Sequence, residues 1–272
     1  MKEKNNKILI KKIIHISIII ILAIITIFLF KKIYNKTLNN KEFENSVISF
    51  TEKNEKTIFT INKIVFFSSS DSKNKSSSSK KFVIENLYTY TDLALFIDNN
   101  SEENTLENTL KSLKICNIEL TKKPTIGEPN LYYKSINNFG KSEFEESNKI
   151  EKELEFEITS EDNADLNKPV LYNNCANPIT LTYINQNIKE NYTITDIANP
   201  ITYNGKLLER CNVPIDSIDT SISFEIYIES NKGQKFRTKV YFDIPYQDGE
   251  KSIYEGSTTI RQDTDFKFYR YE

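Results

Sequence analysis

Residues 221–244, SISFEIYIESNKGQKFRTKVYFDI, carry the clearest structural pattern in the chain. On either side of Asn231-Lys232-Gly233 an apolar residue or threonine occupies every second position, and polar residues fill most of the positions between. A period of two is typical of a strand with one buried and one solvated face, and Asn with Gly suits a tight turn. The stretch therefore predicts an antiparallel hairpin that packs one face on a core.

Similar short segments lie on both sides of this hairpin. Strands are predicted at residues 59–67, 82–90, 92–97, 110–120, 131–134, 150–158, 257–260 and 265–271, and the serine-rich stretch 68–81 is predicted to be a flexible hairpin tip. Many short strands at intervals of about 8–12 residues, without a convincing helix among them, favour β-sandwiches. We expect an all-β, antiparallel fold.

The polar stretch 160–168, which ends at Pro169, is the best candidate for a domain boundary. It would separate two β-sandwich domains, at residues 56–160 and 169–272. The length also allows a single larger domain.

The eighteen residues 13–30, IIHISIIIILAIITIFLF, are flanked by lysine pairs at both ends. As a helix they would reach about 27 Å, close to the thickness of the hydrocarbon core of a bilayer. No small-residue cleavage site follows them, so an uncleaved transmembrane helix is favoured over a signal peptide. We expect residues 1–12 to be a short cytoplasmic tail, 31–55 a stem, and the C-terminal part to lie outside the cell.

Composition excludes several chemistries. His15 is the only histidine, so residues 31–272 cannot form a Ser-His-Asp triad, a Cys-His dyad or a histidine-ligated zinc site. The three cysteines form no C-x-x-C pair, and no glycine-rich phosphate-binding loop occurs. We therefore predict no catalytic residue, cofactor or metal.

The net charge of −2 conceals an uneven distribution. Residues 1–41 contain nine lysines and one glutamate, which leaves 27 basic and 37 acidic residues for the rest of the chain. A body with a net charge of −10 is poorly suited to nucleic acid, because that affinity depends on neutralising phosphates.

Cys175 and Cys211 each precede a predicted turn and would lie in an oxidising environment if the body is outside the cell. We name them as a candidate disulfide, which would close a loop of about 36 residues. The alternative is that these cysteines and Cys116 are all buried thiols.

Acidic and aromatic residues leave further alternatives open. Oxygen-rich segments at 162–167, at Asp216 with Asp219 and at Asp263 with Asp265 could hold calcium, although none has the order of an EF-hand loop. Aromatic residues on alternating strand positions could stack on sugars, but core packing is their commoner use. These are Tyr88, Tyr90, Phe266 and Phe268.

The sequence as a whole predicts a single-pass membrane protein with a non-catalytic interaction or assembly module at the surface of a bacterial cell envelope. It would meet the membrane through residues 13–30 and a protein partner through its strands and the 68–81 segment. A module that binds wall glycan or calcium is the first alternative, and a carboxylate-based hydrolase is the second.

Overall fold

The computed structural model describes residues 58–73, 76–78, 81–99, 109–161, 163–173, 178–194 and 206–271, together with Thr26. The chain divides into two units, Met1–Glu55 and Lys56–Glu272. The expected tail, transmembrane helix and stem lie outside the described residues apart from Thr26. Within the described ranges, no helix has the length and apolarity that a membrane span requires.

Strands dominate the second unit, which confirms the predicted β-rich fold. They are β1 (Phe59–Lys73), β2 (Ser76–Ser78), β3 (Lys81–Asn99), β4 (Leu110–Lys122), β5 (Glu128–Tyr133), β6 (Glu153–Thr159), β7 (Val170–Tyr172), β8 (Ile179–Ile194), β9 (Ser221–Ser230), β10 (Lys235–Asp243), β11 (Gln247–Asp248), β12 (Lys251–Ser252), β13 (Ser257–Lys267) and β14 (Tyr269–Arg270). The described helices are short: α1 (Leu207–Arg210), α2 (Ile215–Ile218) and 3₁₀ turns at Ile136–Asn138, Glu146–Asn148 and Ile253–Glu255.

These strands form two large sheets and a small ribbon. The first sheet has the order β13-β1-β3-β8-β5, with β2 also paired to β3. The second has the order β14-β10-β9-β4-β6-β7, and β11 pairs with β12 in the ribbon. Among the described strands, neighbours run antiparallel except β6 and β7, which are parallel.

The hairpin predicted at residues 221–244 is present as β9 and β10. Ser221 pairs with Asp243 and Glu229 with Lys235. The turn is closed by the Gly233 amide, which donates to the Ser230 carbonyl at 2.8 Å. Gly233 has φ +77°, a conformation that glycine adopts without a steric penalty.

The two large sheets pack face to face through their apolar positions. Phe66 on β1 meets Phe242 on β10 edge-to-face at 5.3 Å, and Phe59 meets Phe236 at 5.4 Å. Both pairs join one sheet to the other, and all four rings belong to a single buried cluster. Interdigitated apolar side chains from two inner faces are the defining core of a sandwich.

Strand pairing crosses the expected boundary between two sandwich domains. Strands from the first half of the chain pair with strands from the second half in both sheets: β1 with β13, β3 with β8 and β4 with β9. The boundary segment 160–168 merely connects β6 to β7, which pair with each other. A polar connection looks the same in sequence whether it joins two domains or two strands of one sheet.

The serine-rich stretch also differs from its prediction. Residues 68–73 continue β1, and 76–78 form β2. Ser68, Ser69, Ser70 and Ser72 are buried. The Ser68 hydroxyl lies 2.8 Å from the Thr91 hydroxyl, and Ser69 donates to the Gly256 carbonyl at 2.7 Å. Small hydroxyl side chains that find such partners can extend a strand, although their polarity in sequence resembles a loop.

Candidate functional site

A groove of about 630 Å³ runs over the outer face of the second sheet. Residues from β4, β6 and β9 line it, together with Lys235 and Tyr271. We call it the outer groove and define it by Lys114, Glu153, Glu155, Tyr227, Glu229 and Tyr271. It faces away from the core that the two sheets share.

Strand alternation and register bring the residues of the groove together. Outward positions on β9 carry Tyr227 and Glu229, because the inward positions between them are apolar. The pairing places Lys114 of β4 opposite Tyr227 on one side and opposite Glu155 of β6 on the other. An acidic, a basic and an aromatic side chain therefore lie side by side across β6, β4 and β9. They are Glu155, Lys114 and Tyr227.

Two ion pairs involve charged side chains of the groove. The ammonium group of Lys111 donates to Glu229 at 2.6 Å, and this hydrogen bond lowers the pKa of the Glu229 carboxyl. Lys114 lies 3.4 Å from the Glu153 carboxylate. Exposed pairs of this kind add little stability, so their alternation mainly defines a pattern that a partner could match.

Two tyrosines that line the groove contact each other. The rings of Tyr227 and Tyr271 meet edge-to-face at 5.8 Å. The Tyr227 hydroxyl donates to Glu225 at 2.7 Å and accepts from Arg237 at 3.3 Å. Burial, followed by the hydrogen bond with Glu225, raises the pKa of Tyr227. The Tyr227 ring is thus held in one orientation by polar contacts on both sides.

Two ionisable groups of the groove have shifted pKa values that oppose catalytic roles. Cys116 lines the groove, but burial and the charge of Glu225 raise the pKa of its thiol and so disfavour the nucleophilic thiolate. A general acid for glycoside hydrolysis requires a raised carboxyl pKa, and the shift at Glu229 has the opposite direction.

The candidate disulfide stays a prediction. Cys175 lies outside the described residues. Cys211 follows α1 and is fully buried, and this burial raises the pKa of its thiol to about 11. Its backbone carbonyl accepts a hydrogen bond from the side chain of Lys189.

Two of the aspartates proposed for calcium take part in other polar contacts. Asp165 accepts a hydrogen bond from the Asn167 amide at 3.1 Å, which closes a tight turn, while Asp162 is outside the described residues. Asp219 pairs with Lys122 at 3.4 Å. In the described ranges, no group of three or more histidine, cysteine or acidic side chains is arranged to hold a metal ion.

Asp263 and Asp265, the remaining candidates for calcium, each form an ion pair with a basic side chain. Asp263 pairs with Arg261 at 3.2 Å, and Asp265 pairs with Lys267 at the same distance.

Most of the candidate sugar-stacking aromatics are packing residues. Tyr88 and Tyr90 are buried in a cluster with Tyr132 on the outer face of the first sheet, beneath residues 135–149. Phe268 is fully buried in the main core. Phe266 is half-buried and meets Tyr241 at 5.5 Å.

The sequence predicted the solvent-exposed face of β9 but not the groove. The alternation at residues 222–229 shows that Tyr227 and Glu229 face outward. It carries no information on which strand lies beside β9, and Lys114 and Glu155 reach the groove through that pairing. The pairing of these strands joins residues that are far apart in the chain, so no local sequence pattern could reveal the groove.

No protein-family model, no curated protein and no solved structure matches this chain.

Proposed function

We propose that the chain is a single-pass, membrane-anchored interaction module of the bacterial cell envelope, and that its outer groove binds a protein partner outside the cytoplasm. One observation carries the proposal: acidic side chains of β6 and β9 pair with basic side chains of β4, beside two tyrosines whose rings are in contact. Alternating charge selects a complementary surface, and rigid tyrosines contribute contact area at a low entropic cost.

The composition supports binding over catalysis. Residues 31–272 contain no histidine, and the pKa shifts of Cys116 and Glu229 oppose nucleophilic and general-acid roles respectively. The acidic body would favour a partner with basic side chains that can reach Glu155 and Glu229. Lys114 would then contact an acidic side chain of the same partner.

The location outside the cytoplasm rests on the sequence. Residues 13–30 are long and apolar enough to anchor the chain in a membrane. Full-length protein with a C-terminal epitope tag should lose the tag when intact cells whose outer surface is accessible are treated with protease. Protection of the tag until the cells are lysed would contradict this orientation.

A comparison of two tyrosine variants tests the groove. Tagged full-length protein would be cross-linked in native membranes, gently solubilised and recovered with its partner for mass spectrometry. Tyr271→Ala removes an aromatic residue of the groove, and Tyr241→Ala removes an exposed one from the same face outside it. We expect the Tyr271 variant to lose the partner and the Tyr241 variant to retain it.

Each other outcome has a defined meaning. Recovery of the tagged protein alone would refute a stable protein partner, and equal recovery with both variants would place the contact elsewhere. Sedimentation of the purified chain with isolated wall material would favour the glycan-binding alternative. Sedimentation only with added calcium would favour the calcium-dependent alternative.

A further inference from the structure

A lysine and an aspartate face each other in a buried site on the first sheet. Asp92 lies in β3 and is fully buried, and Lys134 directly follows β5 with 4% of its side chain exposed. The Lys134 Nζ lies 2.9 Å from the Asp92 Oδ1. Strand β8 runs between β3 and β5, so the lysine side chain reaches across that strand.

Two backbone groups complete the site. The Gly140 amide donates to the second carboxylate oxygen of Asp92, Oδ2, at 2.7 Å. The Lys134 Nζ also donates to the Lys141 carbonyl. The ring of Tyr90 lies beside the amine, with its centroid 5.1 Å from Nζ. Each of the two side chains is thus held from more than one direction.

Burial destabilises this arrangement as an ion pair. Removing an ammonium and a carboxylate from water costs several kcal/mol per ion before their attraction offsets it. Burial also raises the pKa of the Asp92 carboxyl, although Lys134 and the Gly140 amide act in the opposite direction. Transfer of one proton from the amine to the carboxylate would relieve the charge separation and would leave a neutral amine beside a neutral acid.

We propose that Lys134 and Asp92 condense into an intramolecular amide bond that covalently joins β3 to the segment after β5. After the proton transfer, the Nζ lone pair attacks the Asp92 Cγ and the Nζ–Cγ bond forms. The Cγ–Oδ1 bond then breaks, and Oδ1 leaves as water with the two protons that came from the nitrogen. The reaction needs no oxidant, reductant or other co-reactant.

The neighbouring groups are arranged to assist this step. The Gly140 amide donates to Oδ2, the oxygen that carries negative charge in the tetrahedral intermediate, so it serves as an oxyanion donor. The Lys141 carbonyl orients the amine. Fixed proximity of two reactive groups corresponds to effective concentrations of about 10⁵–10⁸ M. Exclusion of water from the site then protects the product from hydrolysis.

Intact mass spectrometry of the purified full-length chain tests the proposal. We expect a mass lower by one water molecule than the sequence requires. Digestion with trypsin should give a branched peptide that joins the segment containing residue 92 to the one containing residue 134, with no cleavage after Lys134. A full sequence mass with two separate peptides would overturn the proposal.

One variant and a matched control distinguish this bond from other losses of water. Lys134→Arg keeps the positive charge but lacks the nucleophilic amine, so it should show the full sequence mass. Lys141→Arg alters an exposed lysine whose backbone carbonyl stays in place, so the deficit should persist. A deficit that persists in the Lys134 variant would overturn the proposal.

A second substitution changes the leaving group. In Asp92→Asn no carboxylate accepts the lysine proton, which would pass to solvent instead. Attack by the neutral amine would then release ammonia, and the mass deficit would change from one water to one ammonia molecule. This readout does not depend on the Lys134 variant, so the test stands even if that variant fails to fold. A deficit of one water in the Asp92 variant would show that the loss arises elsewhere and would overturn the proposal.

Discussion

Phe66 and Phe242 should stabilise the fold jointly, because they connect the two sheets. Phe66 is fully buried on β1, and its ring meets that of Phe242 on β10 at 5.3 Å with an interplanar angle of 71°. Replacing Phe66 with leucine changes the shape of the core at a cost of about 1 kcal/mol and removes an aromatic contact of about 0.5–1.5 kcal/mol. We expect the variant to lower the free energy of unfolding by about 2 kcal/mol.

A double-mutant cycle isolates the contact between the sheets. Because the aromatic pair is lost in either single variant, Phe66→Leu and Phe242→Leu together should cost less than their sum by about 1 kcal/mol. Phe67 is the matched control, since it faces the opposite side of β1, where its ring meets those of Tyr90 and Phe139. Phe67→Leu should be additive with Phe242→Leu.

Urea unfolding of the full-length chain in detergent, followed by the fluorescence of its fifteen tyrosines, measures these quantities. The single sandwich predicts one transition for residues 56–272, displaced by every substitution in the shared core. Two transitions, with Phe66→Leu affecting one and Phe242→Leu the other, would refute the reasoning and restore the division into two domains.

Three further predictions concern the backbone conformation at two glycines, the stability of the fold at alkaline pH and the reactivity of two cysteine thiols. Gly127→Ala should lower the free energy of unfolding by at least about 2 kcal/mol, because residue 127 has φ +89° and a Cβ there would collide with a side chain of β8. Gly233→Ala, in an open turn, should cost only about 1 kcal/mol, and equal losses in urea unfolding would contradict this comparison. Burial raises the pKa of Tyr183 to about 12, so its contribution to stability is present below pH 10 and is lost as the pH rises towards 12. Tyr183→Phe should therefore make the urea midpoint less sensitive to pH in that range, and an unchanged pH dependence would exclude this cause. Under native conditions Cys116 should be alkylated faster than the fully buried Cys211, as measured by peptide mass spectrometry, and the reverse order would contradict their burial.

Local patterns were sufficient to predict the strands whose two faces differ in polarity. The β9–β10 hairpin was predicted with its turn and with its buried face, because each strand alternates polar and apolar residues and the turn contains Asn and Gly. The same approach failed for residues 68–73, where buried serines continue β1. It also divided β3 into two strands and did not define β8, whose asparagine and lysine residues weaken the pattern.

The sequence by itself determined which side chains could face inward and which chemistries were excluded. A period of two is a local property of the chain, and the lack of histidine after residue 15 holds for any fold. Tertiary structure alone decided that β1 pairs with β13, that Lys114 lies between Tyr227 and Glu155, and that Lys134 reaches Asp92. Strand pairing joins residues that are far apart in the chain, and its energy depends on the whole core, so no local pattern specifies the partner.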